Sequence, residues 1–115
     1  MKTYRVFQIL LSEAVIMTVN GGGSHPTFDA FNRAMMGDVN QALENWDLYE
    51  YVADIEAEDL EGVFEVGNIG PEERIYRRGD KMQSVSVGNV IIEPDGRRFM
   101  VAPCGFHPVV RSEDV

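Results

Sequence analysis

The 115-residue chain is long enough for one domain with its own core, and its 44% apolar and 25% charged content is ordinary for a globular protein. Nineteen acidic against ten basic residues give a net charge of −9, a field that repels nucleic-acid phosphates and attracts basic partners. One cysteine, Cys104, excludes an internal disulfide, and no apolar run approaches the ~18 residues that span a bilayer.

From the N-terminus, Thr3–Leu11 carries Tyr4, Val6 and Ile9 with Phe7 and Leu10 beside them, and reads as a central strand. Ser12 is a good helix cap with Glu13 in the first turn, so Ala14–Val19 is expected to be a short helix. Asn20-Gly21-Gly22-Gly23 stops it and opens a flexible loop to Ser24-His25-Pro26. Those glycines lack the Lys-Ser/Thr of a phosphate-binding loop.

Thr27 reads as the cap of a second helix, with Phe28, Phe31, Ala34 and Met35 at helical spacing. Gly37 interrupts it, and Asp38 caps a continuation through Val39, Ala42, Leu43 and Trp46. Tyr49–Ile55 alternates as a second strand. Asp59 or Glu58 opens a helix with Leu60, Val63, Phe64 and Val66, ended by Gly67-Asn68-Ile69-Gly70. Pro71 then suits the first turn of a further short helix, Glu72–Arg78, with acids first and arginines last.

The last third is the best-specified part. Val85, Val87 and Val90–Ile92 form one β-branched run and Phe99–Val101 another, separated by Glu93-Pro94-Asp95-Gly96. An Asp-Gly dipeptide between two apolar runs is a strong hairpin signal, and Pro94 presets the turn. Gly88-Asn89 marks a turn or bulge ahead of the hairpin, the second strand ends at Pro103, and Gly105 makes a further bend. Arg111–Val115 reads as a frayed tail. The whole is a single α+β domain over residues 1–115: a small, mostly antiparallel sheet with short helices packed on one face and a C-terminal β-hairpin.

One part of this sequence resembles a known pattern. Met82, Ser84-Val-Ser-Val-Gly-Asn-Val-Ile91 and Gly105-Phe106 resemble the ending of YodL-like domains and of small accessory proteins of phages, plasmids and integrative elements. Asn89 stands where Asp is usual, and Val66-Gly-Asn-Ile-Gly-Pro-Glu-Glu73 is similar to a stretch of the same proteins. The resemblance covers about a third of the chain. It implies a mobile-element setting and carries no catalytic motif.

Chemistry-bearing residues are few. Cys104 and His107 stand close in sequence, but a metal site needs three or four ligands, and a nucleophilic Cys needs a base and an orienting group. Cys104 reads as a buried thiol at a strand end. The alternative is an enzyme or small-ligand site that uses Cys104 and His107, in a pocket between the hairpin and the Gly21 loop. Trp46, Tyr49 and Tyr51 cluster near the acids and read as packing, or, if exposed together, as interface anchors.

The charge pattern carries the functional expectation. From Ala34 to Glu73 there is no Lys or Arg, while Asp38, Glu44, Asp47, Glu50, Asp54, Glu56, Glu58, Asp59, Glu61 and Glu65, then Glu72 and Glu73, fill the segment. Asp54–Glu61 lacks the alternation of a calcium loop. Spaced carboxylates can offer a partner's Arg and Lys clusters the charge pattern of a nucleic-acid backbone. The expectation is therefore a non-enzymatic protein of a phage or mobile element, without cofactor or metal. It would bind a basic host protein, such as a defence or nucleic-acid enzyme, in the bacterial or virus-infected cytoplasm. Direct nucleic-acid or membrane binding is not expected. A local basic patch of Arg74, Arg77, Arg78, Lys81, Arg97 and Arg98, or a dimer through hairpin edges, stands as the lesser possibility.

Overall fold

The fold is a computed structural model that describes residues 1–110. It is the expected α+β domain, built on one six-stranded sheet in which every neighbouring pair is antiparallel. In chain order the strands are β1 (Lys2–Ile9), β2 (Tyr49–Ala57), β3 (Ile75–Arg77), β4 (Val90–Ile92), β5 (Arg98–Val101) and β6 (Phe106–Pro108), and the sheet order is β3-β2-β1-β4-β5-β6. The helices are α1 (Glu13–Asn20), α2 (Pro26–Met35), α3 (Val39–Glu44) and α4 (Leu60–Asn68).

Strand β1 is central, as its apolar content requires, and its alternation feeds two cores. Tyr4 and Val6 point to one face and join Ile55, Val63, Val66, Val85, Ile91 and Val101. Ile9 points to the other and joins Ala30, Ala34, Ala42, Tyr49, Val90 and Met100, with Phe7 packed beside it. The helices therefore cover both faces, α4 on the first and α2 with α3 on the second, rather than one face as expected. The period-2 alternation of β1 requires this: with apolar side chains on both faces, each face needs its own cover. A bulge lets Val52 and Ala53 both join the first core, because Val6 pairs with Ala53 while Phe7 pairs with Tyr51.

Local chemistry explains most boundaries. Ser12 caps α1 by accepting from Val15 N, Asp38 caps α3 from Gln41 N, and Asp59 caps α4 from Gly62 N. The cap of α2 is His25, not Thr27: its Nδ1 accepts from Thr27 N at 3.1 Å, which lets Pro26 occupy the first helical position. Helix α3 stops at Glu44, so Trp46 lies in the following 3₁₀ turn, Trp46–Leu48.

Three sequence expectations change in the second half. Glu72–Arg78 is not a helix; Glu72–Arg74 makes a 3₁₀ turn and Ile75–Arg77 then pairs with the open edge of β2. The tertiary partner outweighs the dipole-matched charges, since Ile75 buries itself in the first core. The first strand of the hairpin begins at Val90 rather than Val85, while Val85 fills the core from an irregular segment. A further strand, β6, follows the bend at Gly105. The Glu93–Gly96 turn forms as read: Gly96 N donates to Glu93 O at 2.8 Å and Glu93 N to Arg97 O at 2.8 Å. The tail Arg111–Val115 lies outside the described residues.

Candidate interaction surface

The ten carboxylates singled out from the sequence do not share one face. Asp38 and Glu44 sit at the ends of α3, over the second core, where Arg33 binds both, Nε to Asp38 at 2.8 Å and a terminal nitrogen to Glu44 at 3.0 Å. These contacts and the charges behind them push Arg33 further up from its already high value. Asp54 and Glu56 lie on β2 and accept the hydroxyls of Tyr51 and Tyr76. Asp47 and Glu50 are exposed around the β2 start. The chain between Asp38 and Glu65 crosses from one side of the sheet to the other, and the bulge in β2 sets Glu50, paired with Gln8, apart from Asp54 and Glu56, paired with Arg5 and Thr3.

One subset stays together. Glu58 and Asp59 lie at the turn into α4, and Glu61 and Glu65 project from that helix one turn apart, opposite the Val63 and Val66 that face the core. Asp59 is committed as the helix cap, and Glu58 lies 3.9 Å from the chain's own amino group. Glu61 and Glu65 have no ion pair among the described residues. Between and beyond them Phe64 is 41% exposed and Ile69, just past the helix, 84% exposed. The outer side of α4 is thus an acidic ridge around two exposed apolar side chains. It is held close to the core by Gly67, where a Cβ would lie 2.2 Å from Val85 Cγ2.

The aromatic residues form a separate unit on the second face. Phe7 lies between Trp46, tilted by 40°, and Tyr51, on which it stacks, with ring centroids 4.9 Å apart in both pairs, and Tyr49 stacks on Trp46 at 5.3 Å. Guanidinium groups close the ends: Arg98 lies 4.4 Å from the Trp46 centroid and Arg78 4.1 Å from that of Tyr51. Burial and then the bond to Asp54 raise the Tyr51 hydroxyl above its ordinary value. The rings of the row Arg98–Trp46–Phe7–Tyr51–Arg78 are half-buried and occupied by one another, so they pack the sheet and leave no open cage.

The remaining candidates are dispersed. Cys104 is exposed at the tip of the β5–β6 turn, not buried as the sequence suggested, and His107 is exposed on the edge strand. The five described clefts are lined by other residues. Among the described residues no three His, Cys, Asp or Glu side chains converge as metal ligands would. The basic residues also separate: Arg77 pairs with Glu72 at one sheet edge, and Arg97 pairs with Glu93 and Asp95 in the hairpin turn. Among the described residues no helix is long and apolar enough to cross a membrane.

No protein-family model, curated protein or solved structure matches this chain.

Proposed function

We propose that this protein is a non-enzymatic, acidic interaction protein of a phage or other mobile element that binds a basic surface on a host protein. The carrying observation is the α4 ridge, where the exposed Glu61 and Glu65 project beside the exposed Phe64, with Ile69 just past the helix end. Apolar anchors inside a charged rim are the usual anatomy of a protein interface. Carboxylates without competing cations attract Arg and Lys clusters of the kind that grip nucleic-acid backbones, which makes a defence or nucleic-acid-binding enzyme the fitting target. The Ser84–Ile91 resemblance supplies the mobile-element setting. The reading uses a narrower surface than the charge pattern alone suggested, since Asp38 and Glu44 already share Arg33 on the other face of the sheet.

The test is capture of host proteins on the immobilised chain, with a Glu61→Lys/Glu65→Lys variant alongside. A basic partner retained by the parent, lost by the variant and displaced by duplex DNA supports the reading. Retention unchanged from ~50 to 500 mM salt overturns it, because exposed charges are heavily screened at the higher value.

A further inference from the structure

Where β3 ends, the chain turns over the rim of the sheet beside a small charged hollow. Strand β3 pairs with Ala53–Ile55, and Arg78 N then donates to Val52 O at 2.9 Å. The β2 edge therefore has no strand beside it at Glu50 and Tyr51. Gly79 follows with φ +142°, a backbone that side chains disfavour. Asp80 and Lys81 come next and line a hollow of about 250 Å³. Glu50 and Arg78 line it too, with Tyr51, Leu10, Val52 and Met82 as its apolar surface. None of these residues lies on α4, so the hollow is separate from the acidic ridge.

The hollow thus brings together two cations and two carboxylates. None of the four is in an ion pair among the described residues, although they line one small volume. Arg78 is the best fixed of them. Its backbone is bonded to β2, and its guanidinium lies 4.1 Å from the Tyr51 ring centroid. A guanidinium stacked on a ring keeps its fork of N–H donors for a carboxylate.

We propose that this hollow binds a free α-amino acid with an apolar side chain. A ligand with one sign of charge meets as many repelling groups there as attracting ones. A zwitterion uses both signs: its carboxylate sits on Arg78 with Lys81 beside it, and its ammonium group on Glu50 and Asp80. A peptide terminus carries one of those two charges and satisfies half of the site. The apolar side chain lies against Leu10, Val52 and Met82. The hollow is smaller than the roughly 300–1,000 Å³ of a site for drug-sized ligands, which suits a molecule of amino-acid size.

Backbone amide NMR of the whole chain, titrated with L-phenylalanine and L-leucine, tests the proposal. Phenylpropanoate and phenethylamine serve as probes that each lack one of the two charges. The amides of Tyr51, Arg78, Gly79 and Met82 are expected to shift, with a Kd of about 1 mM or tighter for the amino acid. Each single-charge probe binds about tenfold more weakly or worse, since the groups left over find no partner. Arg78→Gln and Glu50→Gln each weaken phenylalanine by about tenfold. Arg78 also packs on Tyr51, so the variant at Glu50, an exposed side chain, keeps the test clear of folding effects. No shift at these amides at ~10 mM amino acid overturns the proposal. Phenylpropanoate binding as tightly as phenylalanine overturns it too, by making the hollow a plain anion site. Unchanged affinity in both variants places the ligand elsewhere and overturns it equally.

Discussion

The side-chain amide of Gln8 bonds the backbone of Gln83 in both directions: Gln83 N donates to Gln8 Oε1 at 3.0 Å, and Gln8 Nε2 donates to Gln83 O at 2.9 Å. The same Nε2 lies 3.0 Å from Asn89 Oδ1, which also accepts from Ser86 N at 3.0 Å. A glutamine only 2% exposed thus stands in for a strand backbone and ties the irregular segment ahead of β4 to the centre of the sheet. Gln8→Leu, which keeps the volume, is expected to cost about 2–3 kcal/mol in urea unfolding, because the groups it served are left unpaired. Amide exchange at Gln83 and Ser86 accelerates in the same variant. Unchanged exchange at both would show that the segment is held by something else.

Gly88 accounts for the next contact of that segment. Its φ is +95°, and a Cβ there would lie 2.7 Å from Ala34 C and Cβ, so the loop backbone rests directly on α2. Gly96 in the hairpin turn has φ +92° with nothing within 4 Å of a Cβ. Gly96→Ala therefore meets conformational strain alone, about 1 kcal/mol, while Gly88→Ala adds backbone collision and costs about 3 kcal/mol or more. Equal unfolding free energies for the two variants would contradict the close approach.

These two residues mark what the sequence made legible. Asp95-Gly96 announced its turn, because the signal is local. The caps at Ser12, Asp38 and Asp59, the central β1 and the α+β class were readable for the same reason. Gln8 gave no signal, since its partners lie 75 and 81 residues away. Ile75–Arg77 read as helix because local charge order pointed there, and only the free edge of β2 makes it a strand. The acidic run was plain in sequence, but its division across the sheet was not. Whether carboxylates spread from Asp38 to Glu65 share a face depends on the path of α3, β2 and α4, which composition does not encode.

The stack Arg98–Trp46–Phe7–Tyr51–Arg78 has an optical consequence. Arg98 lies over the half-buried Trp46 indole. Arg98→Ala opens that ring to water, so Trp46 emission shifts to the red, and stability falls by about 0.5–1 kcal/mol, the scale of an exposed cation–π contact. Trp46 is the only tryptophan, so the emission reports this site alone. Arg78→Ala acts at the far end on Tyr51 and leaves the Trp46 maximum in place. A shift from Arg78→Ala as large as that from Arg98→Ala would refute the ordering of the stack.

Tyr49 predicts an alkaline weakness. Its hydroxyl accepts from Gln41 Nε2 at 2.6 Å and donates to Gly88 O at 2.8 Å, within the second core. Burial pushes its pKa up from 10.0 to about 12. The unfolded chain releases this proton near the ordinary value while the folded chain still holds it. Stability from Tyr49 is thus complete below the unfolded pKa and declines as pH rises from 10.0 to about 12, by ~2–3 kcal/mol in all. Tyr49→Phe removes that share of the decline. At neutral pH the variant is weaker by ~1–3 kcal/mol, because Gly88 O and the fully buried Gln41 amide lose their partner. Tyr4, Tyr51 and Tyr76 also titrate above their ordinary value, so the informative quantity is the difference between parent and variant across the pH series. Parallel curves through that window would mean that Tyr49 ionises as freely in the folded chain as in the unfolded one.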